Sequence, residues 1–220
     1  MSLKIRTSDL FYSIPPLLRP IFNGESPPWI ALTLLKDAIE EIIKSNHLGL
    51  IEYSHGVLIG KDVEIEDGAT LLPPTVILSG AKIRQGAYIR GSVFVGEGAT
   101  VGHATEIKNS ILMDGAQAPH FNYVGDSILG SRAHIGAGVI LSNLKSDRTP
   151  VTIHGISEIR TDMRKLGAII GDGAEVGCGS VLNPGTVIGR GSRVYPLTSF
   201  RGVLPENCIA KSQKDIIKMT

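Results

Sequence analysis

The chain has 220 residues and a formal net charge of +1, so no broad electrostatic field recruits nucleic acid or an anionic membrane. Apolar residues make up 42% and aromatics 5%, which leaves Ile, Val, Leu and Ala to build the core, while 26 glycines point to many regular turns. Cys178 and Cys208 fit no metal-ligand spacing and suit a reducing compartment. No apolar run approaches a membrane span and no secretory signal opens the chain, so a soluble cytoplasmic protein without membrane insertion is expected.

In chain order, Met1-Ser2-Leu3 is set aside from the fold reading. Residues 28–46 read as a helix. Trp29, Leu32, Leu35, Ile39, Ile42 and Ile43 share one face, Lys36, Glu40, Glu41 and Lys44 lie elsewhere, and Pro27-Pro28 stands at the start. This helix is expected to cover the open N-terminal coil of the repeats downstream of it.

From Ile59 the chain repeats. Ile59, Ile65, Leu71, Ile77, Ile83, Ile89, Val95, Val101 and Ile107 recur at a step of six. Four residues after each of the first eight comes a small or β-branched residue: Val63, Ala69, Thr75, Ala81, Ala87, Val93, Ala99, Thr105. Neither a helix nor an alternating strand has this period. It fits short strands and turns in which three hexads close one triangular coil. Ile59, Ile77 and Val95 then stack on one wall, and Ile65, Ile83 and Val101 on the next. The register resumes at Ile170, Val176, Leu182, Ile188, Val194 and Phe200, with Ala174, Ser180, Thr186, Ser192 and Thr198 at the small position.

A segment from about Leu144 to Leu166 lacks the hexad and is largely polar, although Val151 and Ile153 alternate like a short strand. It concentrates Arg148, Arg160, Arg164 and Lys165, and is expected to be a loop that orders when an anion binds. The expected organisation is a helical cap over 1–56, a hexapeptide-repeat β-helix over 57–205 with the inserted loop at 144–166, and a tail over 206–220 that caps the far end. The fold class is all-β. Handedness does not follow from the period, since parallel crossovers are right-handed as a rule.

Two basic residues follow core positions directly: Arg90 after Ile89 and Lys108 after Ile107. They are three hexads apart, so the repeat alone stacks them on one edge of adjacent coils, and Arg suits bidentate phosphate recognition. His120 follows Pro119 where the uninterrupted hexad ends, so its side chain need not enter the prism. Its ordinary pKa, about 6.5, suits proton transfer.

The string Gln117-Ala118-Pro119-His120-Phe121-Asn122-Tyr123-Val124-Gly125-Asp126, with Ile135-Gly136-Ala137-Gly138 and Asn143, resembles the acetyltransferase half of the bifunctional N-acetylglucosamine-1-phosphate uridyltransferase/glucosamine-1-phosphate acetyltransferase family. Met163 to Gly185 looks like related sugar-phosphate nucleotidyltransferases. The resemblance implies a left-handed coil, a homotrimer whose sites are completed between chains, and acetyl-CoA as co-substrate, with no metal required. It implies Arg90, Lys108, Tyr123, Asn143 and Lys165 as the amino-sugar phosphate site. It makes His120 the base, with Glu106 nearby and the Ala137 N–H facing the thioester carbonyl; the Gly138 N–H is a second donor to the oxyanion. Cys178, Pro196 and Lys211 fall beside the coenzyme.

The chain departs from the family pattern in places. His134 replaces a sugar-binding Asn, Cys178 and Pro196 replace Ser and Ala, and no arginine matches the one that contacts the coenzyme phosphates. The uridyltransferase half has no counterpart. The function expected is acetyl-CoA-dependent acetylation of an amino-sugar phosphate, glucosamine 1-phosphate first. The alternative is a non-catalytic sugar-nucleotide-binding or scaffolding β-helix.

Overall fold

A computed structural model describes residues 5–46, 48–155 and 158–219, so Met1-Ser2-Leu3 lies outside the described residues. Three sheets wall a triangular prism. Wall 1 has nine strands, from Ile51–Ser54 and Val57–Ile59 to Val203–Leu204. Wall 2 has nine, from Glu64–Ile65 to Ile216–Lys218. Wall 3 has seven, from Thr70–Leu71 to Ser199–Phe200.

Successive coils pair in parallel and in register, as a three-hexad coil requires. Ile59 partners Ile77 and Ile77 partners Val95 on wall 1; Ile65, Ile83 and Val101 align on wall 2, and Leu71, Ile89 and Ile107 on wall 3. Small residues at the fourth position fit the corners. Some of their hydroxyls bond a carbonyl of the next coil: Thr105 Oγ1 to Ala118 O at 3.1 Å, Ser180 Oγ to Tyr195 O at 2.9 Å. Those bonds satisfy polar groups that would otherwise be buried without partners.

The rhythm does not stop at Ile107. Val95 partners Leu112, 17 residues on, and Leu112 partners Leu129, 17 residues on. Each of these coils is one residue shorter at the corner between walls 3 and 1. In the preceding coil two left-handed residues, Gly91 and Ser92, turn this corner; in the short coils it holds Asn109 (φ 44°) and Asp126 (φ 47°). Asn and Asp tolerate the left-handed region better than other L-residues. The hexad therefore resumes one residue early, and the core gains Leu112, Ala118, Val124, Leu129, Ile135 and Leu141. His120 consequently does not mark a break. It ends the strand Gln117–His120, in register with Thr100–His103, and is exposed where the chain leaves wall 2.

The helix Ile30–Ser45 does not close the first coil. Trp29, Leu32, Leu35 and Ile39 are buried with the outward side of wall 1, where Leu58, Val76, Phe94, Ile111, Ile128, Ile169 and Val187 form an unbroken apolar stripe through paired strands. Triplets such as Val93-Phe94-Val95, buried throughout, carry this two-sided burial in the sequence. The first edge of wall 1 is covered by the antiparallel strand Ile51–Ser54. At the far end, Ile216–Lys218 pairs antiparallel with Cys208–Ala210, so the tail does cover that edge.

The insertion holds an antiparallel ribbon, Thr152–Ile153 with Ile159–Arg160, and Val151, Ile153 and Leu166 are completely buried in the cluster on wall 1. These three side chains dock the segment on wall 1, while Arg148, Arg160, Arg164 and Lys165 are exposed on its outside. Among the described residues, no helix is long and apolar enough to cross a membrane.

Candidate functional site

Wall 3 lies between two edges, and the expected site residues divide between them. On the edge between walls 3 and 1, Arg90 and Lys108 occupy successive coils. Neither is free. The Arg90 Nη1 donates to Glu106 Oε1 at 2.7 Å, and this bond raises the guanidinium pKa further. The Lys108 Nζ lies 3.7 Å from Asp126 Oδ2. Glu106 thus joins Arg90, and among the described residues no hydrogen bond links it to His120.

Tyr123 and Glu106 are register partners on the outer face of wall 3. The Asn143 Nδ2 donates to the Tyr123 hydroxyl at 3.3 Å and to Asp126 Oδ2 at 2.5 Å. Partial burial pushes the Tyr123 phenol above its ordinary pKa, while the bond from Asn143 pulls it down. Gly125, beside Lys108 in the ladder, gives this pair its room: a Cβ there would lie 2.5 Å from Asn143 Nδ2 and 2.7 Å from the Tyr123 hydroxyl. Lys165 is exposed, but its backbone is pinned opposite Leu144 by an antiparallel bridge, and Leu166 N donates to Asn143 O at 3.0 Å. The return strand of the insertion therefore brings Lys165 beside the Asn143 end of the cluster.

The opposite edge, between walls 2 and 3, carries His120, Ala137, Cys178 and Pro196 in single file, one per coil. Gly138 N donates to His120 O at 3.0 Å, Gly179 N to Ala137 O at 2.8 Å, and Leu197 N to Cys178 O at 2.9 Å. Four residues separated by up to 76 positions in sequence thereby form one column. The Gly138 N–H is committed to the His120 carbonyl, which corrects its expected part as an oxyanion donor. The Ala137 N–H donates to no protein oxygen among the described residues. Lys211 follows Ala210, which partners Val194, so it lies beside Tyr195 at the end of the same edge. His134 sits on the outer face of wall 2, partnering Gln117 and Glu175.

Sequence reasoning missed two polar residues that hold these groups. Asn122, 3% exposed, accepts from His120 N at 3.1 Å and donates to Gly136 O at 2.7 Å, tying the histidine backbone to the Ala137 turn. Asp126, 5% exposed, accepts from Asn109 Nδ2 at 2.8 Å and from Asn143. Both stand in the recognised string, and their polarity at a repeat corner was the available signal. In the Gly171-Asp172-Gly173 turn, Asp172 accepts from the backbone N–H groups of Tyr12 and Ser131, each at 2.7 Å, and clamps the N-terminal segment.

The GMPPB C-terminal domain model matches residues 71–162. A bifunctional sugar-1-phosphate nucleotidylyltransferase/acetyltransferase from Sulfurisphaera tokodaii is 33% identical over 174 residues, 77% of this chain and 43% of that protein. The bifunctional protein GlmU of Methanococcus vannielii is 33% identical over 218 residues, 98% of this chain and 49% of its own length. Over 77% and 98% of its length, respectively, the chain is similar to these two bifunctional proteins. It spans about half the length of these relatives, 43% and 49%. Among solved structures, UDP-N-acetylglucosamine acyltransferase from Campylobacter jejuni aligns with TM-score 0.46 and 18% identity, over 74% of this chain and 71% of that one.

A cavity of about 700 Å³ lies away from both edges of wall 3. Ile5, Leu10, Val187, Val203, Arg190 and Ile216 are among the residues that line it. It contains none of the expected site residues, which spread over the open outer surface of one wall.

Proposed function

We propose that this chain transfers the acetyl group of acetyl-CoA to the amine of an amino-sugar phosphate, with glucosamine 1-phosphate as the first acceptor to test. The observation that carries this reading is the division of the site across wall 3. Arg90 and Lys108 on one edge suit the phosphate; the file of His120, Ala137, Cys178 and Pro196 on the other suits the thioester and its coenzyme; Tyr123, Glu106 and Asn143 suit the sugar between them. The neutral amine attacks the thioester carbonyl, its proton passes to His120, the Ala137 N–H steadies the oxyanion, and the carbon–sulfur bond breaks to release CoA. Three copies of the chain complete the site between neighbours, in the cytoplasm, where Cys178 and Cys208 stay thiols.

A second reading, sugar-nucleotide binding without catalysis, is favoured by the single free N–H at the expected oxyanion position. A thermal-shift panel separates the two, because a ligand of the native state raises its apparent stability. Stabilisation by acetyl-CoA and glucosamine 1-phosphate supports acetyl transfer. Stabilisation by UDP-N-acetylglucosamine alone supports the second reading.

A further inference from the structure

We propose that Asp126 is the positioning residue of the acceptor subsite: its carboxylate orients the Asn143 amide and holds the Lys108 ammonium, so that an acceptor oxygen and a cation face the ligand side by side. This rests on the acceptor reading above and names the group on which that subsite depends.

The corner geometry supplies the first half of the argument. Asp126 turns a short coil in the left-handed region and stacks on Asn109, which has the same conformation one coil earlier. Its backbone is held from both sides, with Asp126 N donating to Lys108 O at 3.0 Å and Gly167 N donating to Asp126 O at 2.8 Å. The carboxylate is therefore a fixed, nearly buried anion at the root of the insertion.

Chemistry supplies the second half. A carboxylate only accepts hydrogen bonds, so Asn143 must turn its NH2 toward Asp126. One N–H reaches Asp126 Oδ2 and the other reaches the Tyr123 hydroxyl. Both donors of Asn143 are then used, and its carbonyl oxygen is the group left to accept from a sugar hydroxyl or amine. The Tyr123 hydroxyl, having accepted, keeps its own O–H to donate. Lys108 is held at 3.7 Å, close enough to be placed and loose enough to leave protons for phosphate. A tight corner alone requires none of this, since Asn109 turns the equivalent corner without a charge.

Asp126→Asn is the discriminating variant. Asn adopts the left-handed corner and can keep the stacked bond to residue 109, but it removes the charge and frees Asn143 to flip. Wild-type binding of glucosamine 1-phosphate, measured by calorimetry, comes first. No binding refutes the acceptor reading and this proposal with it. Given binding, Asp126→Asn is expected to raise the acceptor KM roughly tenfold, leave the acetyl-CoA KM unchanged, and make the added loss from Lys108→Met smaller than in the wild type. An unchanged acceptor KM, a parallel rise for both substrates, or fully multiplicative losses overturns the proposal alone. If Asp126→Asn does not fold, Asn109→Gly removes one bond to the carboxylate, keeps the left-handed corner, and leaves Lys108 and Asn143 in place. It is expected to raise the acceptor KM about threefold with an unchanged acetyl-CoA KM, and no rise overturns the proposal.

Discussion

Lys108→Ala and Arg90→Ala are expected to weaken the acceptor unequally, and the structure sets the order. Lys108 is 26% exposed, reaches Asp126 only at 3.7 Å, and keeps most of its hydrogen-bonding capacity for a ligand. A charge-assisted bond from such a site contributes about 1.5–3 kcal/mol, so its loss should raise the acceptor KM roughly tenfold to a hundredfold. Arg90 is more exposed and already donates to Glu106 at 2.7 Å. A phosphate must share that guanidinium with a carboxylate, in high dielectric, and the expected rise is only about threefold. The assay is steady-state release of CoA thiol at varied acceptor and at varied acetyl-CoA, with a melting curve for each variant. Both KM values rising together would mean that these residues support the coil and not the phosphate. A larger loss from Arg90 than from Lys108 would refute the ranking by exposure and pairing.

Gly125→Ala places a methyl group against both Tyr123 and Asn143 without a left-handed backbone to strain. It is expected to raise the acceptor KM severalfold with little change in melting temperature; an unchanged acceptor KM would show that the pair does not form the sugar site. Asp172 gives a pH signature. Burial holds its carboxyl above the usual range despite the donors from Tyr12 and Ser131. The folded state therefore binds this proton more tightly than the unfolded chain, at about 3.9, and the group's contribution to stability falls as pH rises through the raised value. Urea midpoints of Asp172→Asn, relative to the wild type, are expected to rise from about pH 4 upward until that window is passed. A difference that falls with pH would contradict the buried carboxylate.

Much of this was legible in the sequence, because a period of six with aliphatic residues has one efficient three-dimensional solution. The stacks from Ile59 to Ile107 and from Ile170 to Phe200 read directly. The middle coils did not, since a single-residue shortening at Asn109 and Asp126 shifts the phase by one, and a fixed-period reading then loses Leu112 through Leu141. The second face of wall 1 was also hidden. A hexad template assigns no role to Val76, Phe94 or Ile111, yet these decide where the helix and the insertion dock. At the site, the recognised string supplied the candidate residues, and the coil register shows how they divide between the two edges of wall 3. Their pairing was absent from the string. Glu106 binds Arg90, Asp126 takes Lys108 and Asn143, and Gly138 spends its N–H on His120, all contacts between coils that no local motif encodes.

The most direct test of acetyl transfer across wall 3 is release of CoA thiol when the wild-type chain meets acetyl-CoA and glucosamine 1-phosphate together, set beside the same assay on His120→Ala. Release that requires both substrates is expected, and removal of a positioned base should lower it roughly 10²–10⁴-fold while substrate binding persists. Undiminished release by a folded His120→Ala protein, or no release by a wild type that binds both substrates, would contradict the account.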